Sequence, residues 1–170
     1  MSTRTKAQAG QAAEATAFAA HDHRACMARA VERLEQDCAQ RNLRLTQVRR
    51  RVFEILSESH RSMGAYDVLE RLRDEGLGSQ PPVAYRALDF LVEAGVVHRI
   101  HRLNAFIACA HQGAHRPAFL ICRDCRRVEE TELPQARAAL DAAARDAGFS
   151  LERSSIEAVG LCPDCAVAPA

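Results

Sequence analysis

The chain has no apolar run approaching the roughly 20 residues that a membrane-spanning helix requires. Its opening residues, MSTRTKAQAG, lack the apolar stretch of a secretory signal. A cytoplasmic protein is therefore expected. Lysine is nearly missing, since of 23 basic residues all but Lys6 are arginine. Guanidinium groups suit bidentate contacts to phosphate and guanine, although an alanine-rich composition explains the same bias more simply. No nucleophile stands in an evident pairing with a base and no glycine-rich phosphate loop is present, so an enzyme is not expected. The seven cysteines read better as metal ligands and reduced thiols than as a disulfide framework, since the number is odd and no export signal is expected.

What is present is a folding composition, 48% apolar with a net charge of +1 over 170 residues. The charge is uneven. Residues 24–103 hold 14 arginines against 11 acids, and residues 104–170 hold 7 against 9. Residues 1–23 set no amphipathic period and are expected to form a flexible arm. From residue 24, Met27, Val31, Leu34 and Cys38 recur at helical spacing, with Cys26 and Cys38 best read as small buried thiols. Thr46 is placed to cap a second helix whose stripe is Val48, Val52, Ile55 and Leu56. A third helix, AYDVLERLRDEG, ends at Gly76. A fourth, PPVAYRALDFLVEAG, opens near Pro82 and closes at Gly95, with Ala84, Leu88 and Leu91 on one side and Val83, Arg86, Asp89 and Glu93 on the other. VVHRIHRLNAFIAC then alternates as a hairpin around Leu103 and Asn104.

Three short helices before a hairpin match the winged helix-turn-helix plan. The predicted organisation is α+β: an arm over 1–23, a winged-helix DNA-binding domain over 24–104, a hinge over 105–116, and a small C-terminal α/β dimerisation domain over 117–170. In the last, PAFLIC and RRVEETEL read as strands, PQARAALDAAARDAG as a helix from Pro134 to a cap at Gly148, and FSLERSSIEAVGLC as a third strand. With few bulky apolar residues, this unit is expected to lean on a metal and a partner subunit.

Two constellations carry chemistry. Cys122-Arg-Asp-Cys125 and Cys162-Pro-Asp-Cys165 are paired knuckles that present four thiolates, a closed tetrahedral site suited to structural zinc. A redox dithiol competes with that reading less well. The second set is mixed. A two-residue turn at Leu103-Asn104 would place His98 directly across the ribbon from Cys109, and His115 and Glu130 could complete a neutral Cys-His-His-Glu site around Zn(II). His60, His101 and His111 are nearby candidates for the same role.

In the order of its winged helix, AYDVLERLR, PPVAYRALDFLVEAGVVHRI and two CxxC knuckles, the chain resembles the ferric uptake regulator family, and within it the zinc uptake regulator branch. The resemblance covers about residues 24 to 165. It implies a homodimer that binds palindromic operator DNA when loaded with zinc, two ions per subunit, and most simply represses zinc uptake genes. By motif position it assigns sensory ligands to His98, Cys109, His115 and Glu130, and structural ligands to Cys122, Cys125, Cys162 and Cys165. It likewise gives DNA contacts to Tyr66 and Arg86, with Tyr85 beside them and partly in the core. Two departures stand out. PVAYR replaces the family's frequent PTVYR or STVYR, which removes a hydroxyl from the helix start, and HQGAH replaces the HHDH cluster of iron sensors. The alternatives are an iron, manganese or peroxide sensor of the same family, or a thiol-based zinc or redox switch.

Overall fold

The computed structural model describes residues 17–18, 23–78, 80–110 and 116–167. Most of the predicted arm, together with His111 and His115, lies outside the described residues.

Helix α1, His23–Gln40, lays Ala30, Leu34 and Cys38 into the core, and burial pushes the Cys38 thiol above its ordinary pKa. Cys26 is only half buried. Helix α2, Gln47–Ser57, starts where expected because the Thr46 hydroxyl accepts the Arg49 N–H at 3.3 Å. Its Val52, Phe53, Ile55 and Leu56 are buried. A two-residue strand that the sequence did not announce, β1 at Met63–Gly64, leads into α3, Ala65–Asp74. Helix α4, Pro81–Glu93, follows a short turn and buries Ala84, Ala87, Leu88 and Leu91. Gly76 and Gly95 end these two helices with φ of +70° and +79°, the left-handed conformation in which a side chain is strained. Burying a leucine such as Leu72 or Leu88 is worth about 1.5–3 kcal/mol, so this cluster needs no metal to hold it.

The wing pairs β2, Val97–Ile100, with β3, Ala105–Ala108, and β1 joins the far side of β3. The predicted two-residue turn is corrected here. Ile100 pairs with Ala105, so residues 101–104 form the turn, and His98 faces Ile107 rather than Cys109. A two-residue turn of the hairpin type would need left-handed backbone at Leu103 as well as Asn104, and only Asn104 adopts it, with φ of +45°. The register therefore moves by two residues, which keeps every side chain on its predicted face. Residues 105–108, which the sequence assigns both to the hairpin and to the expected hinge over 105–116, form the second strand of the wing.

Strands β4, Ala118–Cys122, β5, Val128–Thr131, and β6, Ile156–Gly160, form a second sheet in the order β5-β4-β6. The β4–β5 pair is antiparallel, whereas helix α5, Pro134–Asp146, carries the chain across so that β6 runs parallel to β4. The third strand is shorter than the predicted stretch from residue 149, and a short helix α6, Pro163–Val167, ends the described chain.

The wing is covered on both faces. Val97 and Phe106 pack into the helical core, while Ile100 and Ile107 pack against Phe119, Ile121 and Val128 of the second sheet. Alternation in β2 and β3 thus serves two cores, and the wing is the layer through which the halves of the chain meet. Backbone bonds add to this junction: Ser62 N–H to the Arg126 carbonyl at 3.2 Å, and Val128 N–H to the His60 carbonyl at 2.9 Å.

Candidate metal and DNA-binding sites

Parallel pairing of β4 and β6 puts Cys122 beside Gly160, so both knuckles emerge at one end of the sheet. The four sulfurs of Cys122, Cys125, Cys162 and Cys165 lie within 4.8 Å of one another. Cys125 Sγ and Cys162 Sγ are 3.7 Å apart, close to the roughly 3.8 Å edge of a tetrahedron built on 2.3 Å Zn–S bonds. Arg126, at φ +59°, turns the first knuckle. The cluster is electrostatically divided without an ion. Burial raises the Cys122 thiol, but the backbone amides of Cys125, Cys162 and Asp124 outweigh it and bring its pKa down to about 6. Its neighbour Cys165 is pushed up to about 12, first by its hydrogen bond with Cys162 and then by burial. Four thiolates cannot coexist here unless a cation offsets them, and the donor set fits zinc. Arg127, which the sequence reading passed over, donates to Cys125 Sγ at 3.3 Å and to Cys162 Sγ at 3.2 Å and also pairs with Asp164. Its ring contact with Phe18 is one of two that tie the described part of the arm to this half; the other is from Ala17 N–H to Glu129.

The second cluster forms across the junction. Glu130, on β5, has a side chain only 6% exposed and lies with its carboxylate 3.3 Å from His98 Nε2 and 3.7 Å from Cys109 Sγ. The Ala110 N–H donates to its other oxygen at 2.9 Å. One ligand atom from each of His98, Cys109 and Glu130 lies within 4.8 Å of the others. His98 and Cys109 meet diagonally rather than directly across the ribbon, since the Cys109 N–H bonds the Val96 carbonyl. His98 is steadied by its ring contact with Phe119, at 5.4 Å between centroids. A carboxylate this deeply buried needs positive charge or several donors around it, and a Cys-His-Glu set suits a divalent ion of zinc's softness. The fourth predicted ligand, His115, lies outside the described residues, as does His111. Among the remaining histidines, His60 lines a small cavity with Cys26 and Cys109, and His101 is exposed on the wing turn.

In the helical half, Tyr66 at the start of α3 is 70% exposed and meets Tyr85 of α4 edge-on, with ring centroids 6.5 Å apart. Arg86 is exposed next to Tyr85. The buried line of Ala84, Leu88 and Leu91 fixes that outward direction. Val83 packs onto the turn: a Cβ on Gly78 would come within 2.9 Å of it.

Comparison with known proteins matches residues 40–159 to the Ferric uptake regulator family. The chain is 39% identical over 133 residues to the zinc uptake regulation protein of Escherichia coli (strain K12), covering 77% of this chain and 78% of that protein. It is 28% identical over 115 residues to a ferric uptake regulation protein of Neisseria meningitidis, covering 67% and 78%. Among solved structures, a zinc uptake regulator complexed with zinc and DNA superposes with a TM-score of 0.77 at 37% identity, over 82% of this chain and 95% of that one. The holo form of XcZur gives 0.74 at 37% identity, over 81% and 97%.

Proposed function

The chain belongs to the ferric uptake regulator family, and from that premise we propose that it is a zinc-responsive DNA-binding transcriptional regulator acting as a homodimer. Its relatives' zinc and DNA, together with the two clusters described above, support this reading. The finer statement is that each subunit holds two zinc ions and that the loaded dimer represses genes for zinc uptake. Cys122, Cys125, Cys162 and Cys165 would hold one ion permanently. His98, Cys109 and Glu130, with His115, would hold the other reversibly.

The observation that carries the proposal is the buried Glu130 carboxylate facing His98 and Cys109 across the two halves of the chain. Zinc bound there supplies a charge that offsets the carboxylate and the thiolate together. The chain's own part is geometric: β5 brings Glu130, the wing brings His98 and Cys109, and an ion shared among them fixes the wing on the second sheet. Because the wing also packs on the helical core, fixing it fixes α4. Arg86, Tyr66 and Tyr85 are then the groups we assign to the DNA, with α4 entering the major groove. Six of the apolar residues left exposed after residue 119, Leu120, Leu133, Leu140, Phe149, Val159 and Leu161, supply the surface for the second subunit. Among the described residues no helix is long and apolar enough to cross a membrane. A thiolate at Cys109 favours zinc over iron(II) or manganese(II), which prefer oxygen and nitrogen. The experiment is a gel-shift titration of a palindromic duplex, selected from a random pool by the zinc-loaded protein, against buffered zinc, iron(II) and manganese(II). Zinc should promote binding at the lowest free concentration; equal promotion by iron(II) or manganese(II) overturns the assignment.

A further inference from the structure

Register in the second sheet places three residues in one row: Phe119 of β4 pairs with Glu130 of β5 on one side and with Glu157 of β6 on the other. Paired residues on neighbouring strands project from the same face. Phe119 meets the wing from that face, and both carboxylates reach the wing from either side of it. Glu130 takes the base of the ribbon, at His98, Cys109 and the Ala110 N–H. Glu157 takes the tip. Its Oε1 accepts the His101 N–H at 2.8 Å and its Oε2 accepts the Arg102 N–H at 2.9 Å, while the Ser155 hydroxyl donates to Oε1 at 3.3 Å. Two consecutive amides on the two oxygens of one carboxylate form an anion-binding turn, and charge-assisted bonds of this kind are stronger than neutral ones.

We propose that Glu157 is a positioning residue, a clamp that needs no metal and holds the wing tip on the second sheet so that His98 and Cys109 are already near Glu130 when zinc arrives. This inference rests on the sensory reading of that cluster. The four-residue turn that displaced the predicted hairpin supplies both donors, so the longer turn has a use: it exposes two successive amides at the tip. With the tip clamped, zinc binding has only the base of the wing left to order. With the clamp removed, the fraction of molecules ready to bind zinc falls, and apparent zinc affinity falls in proportion.

The test uses the full-length dimer with its four-cysteine site loaded. Amide hydrogen exchange at His101 and Arg102, read by NMR with sensory zinc withheld, should be slow in the wild type and at least about tenfold faster in Glu157→Ala. The free-zinc midpoint for binding the selected palindrome should rise by about tenfold in Glu157→Ala and by less in Glu157→Gln, which keeps one acceptor oxygen. Dimer mass and zinc content at the four cysteines should not change. Fast exchange of both amides in the zinc-free wild type would refute a metal-independent clamp. Slow exchange lost in Glu157→Ala with an unchanged zinc midpoint would refute its role in positioning the site. Wild-type DNA binding that ignores zinc would instead refute the sensory reading, and the exchange data alone would then decide whether the clamp exists.

Discussion

Replacing Glu130 by glutamine should have opposite consequences in the zinc-free and zinc-bound protein. The side chain is 6% exposed, and glutamine keeps its shape and an oxygen for the Ala110 N–H while removing the negative charge. Burying an ion without full compensation costs several kcal/mol, so loss of that charge in the zinc-free state should leave the melting temperature unchanged or raise it. With zinc the sign reverses. Loss of an outer partner alone typically weakens a metal site about 10- to 100-fold, and a direct anionic ligand should reach at least the upper end. At free zinc about 100 times the wild-type Kd, binding adds about 2.7 kcal/mol, or roughly 5–11 °C for a chain of this size. Glutamine at the same zinc concentration would retain about 0.4 kcal/mol, or roughly 1–2 °C. Scanning calorimetry with the four-cysteine site loaded and sensory zinc buffered measures both. A Glu130→Gln variant that kept the full wild-type zinc shift would show that the carboxylate is not a ligand.

Two further outcomes are expected. Cys122→Ser or Cys162→Ser should abolish structural zinc and the dimer together, because binding such an ion is also folding free energy, about 10 kcal/mol or more in small zinc modules; ultracentrifugation showing an intact, zinc-free dimer would contradict this. Arg86→Ala should cost about 1–3 kcal/mol of binding to the selected palindrome and much less on random DNA, read by competition gel shift, since a guanine-edge contact carries sequence information and a phosphate contact does not.

Local structure is legible in the sequence where one residue decides the backbone. Thr46, Pro82, Gly76, Gly95 and Gly148 mark helix ends through a hydroxyl, a ring or a left-handed φ, and each stands within two residues of a helix boundary, Pro82 one residue inside the helix that Pro81 begins. The cysteine pairs were legible for the same reason, since a knuckle is local and only its meeting with the other depends on β6 lying parallel to β4. The wing was half legible. Its faces follow from alternation, but its register turned on whether Leu103 could take a left-handed conformation. What stayed hidden was contact between distant segments. Glu157 lies 55 residues beyond Arg102 and meets it only after two sheets have packed, and β1 is a strand only because Phe106 and Ala105 offer it an edge. Arg127 escaped for another reason: an arginine beside a cysteine knuckle looks like any exposed charge until both sulfurs are seen within its reach.

An ion shared by the wing and β5 is expected to couple zinc to DNA, and the most direct test is the operator affinity of wild type and Cys109→Ser measured with and without sensory zinc. A shift from 1:99 to 99:1 between a loose and a fixed wing base, with the tip held by Glu157 in both, requires about 5.5 kcal/mol of preference, which a thiolate-containing zinc site can supply and a serine site cannot. Linkage requires that the palindrome tighten zinc binding by the same factor in the wild type. Wild type should show a large zinc-dependent gain and Cys109→Ser little or none, with circular dichroism and dimer mass alike in both. A folded, dimeric Cys109→Ser that gained wild-type affinity on adding zinc would place the sensor elsewhere in the chain.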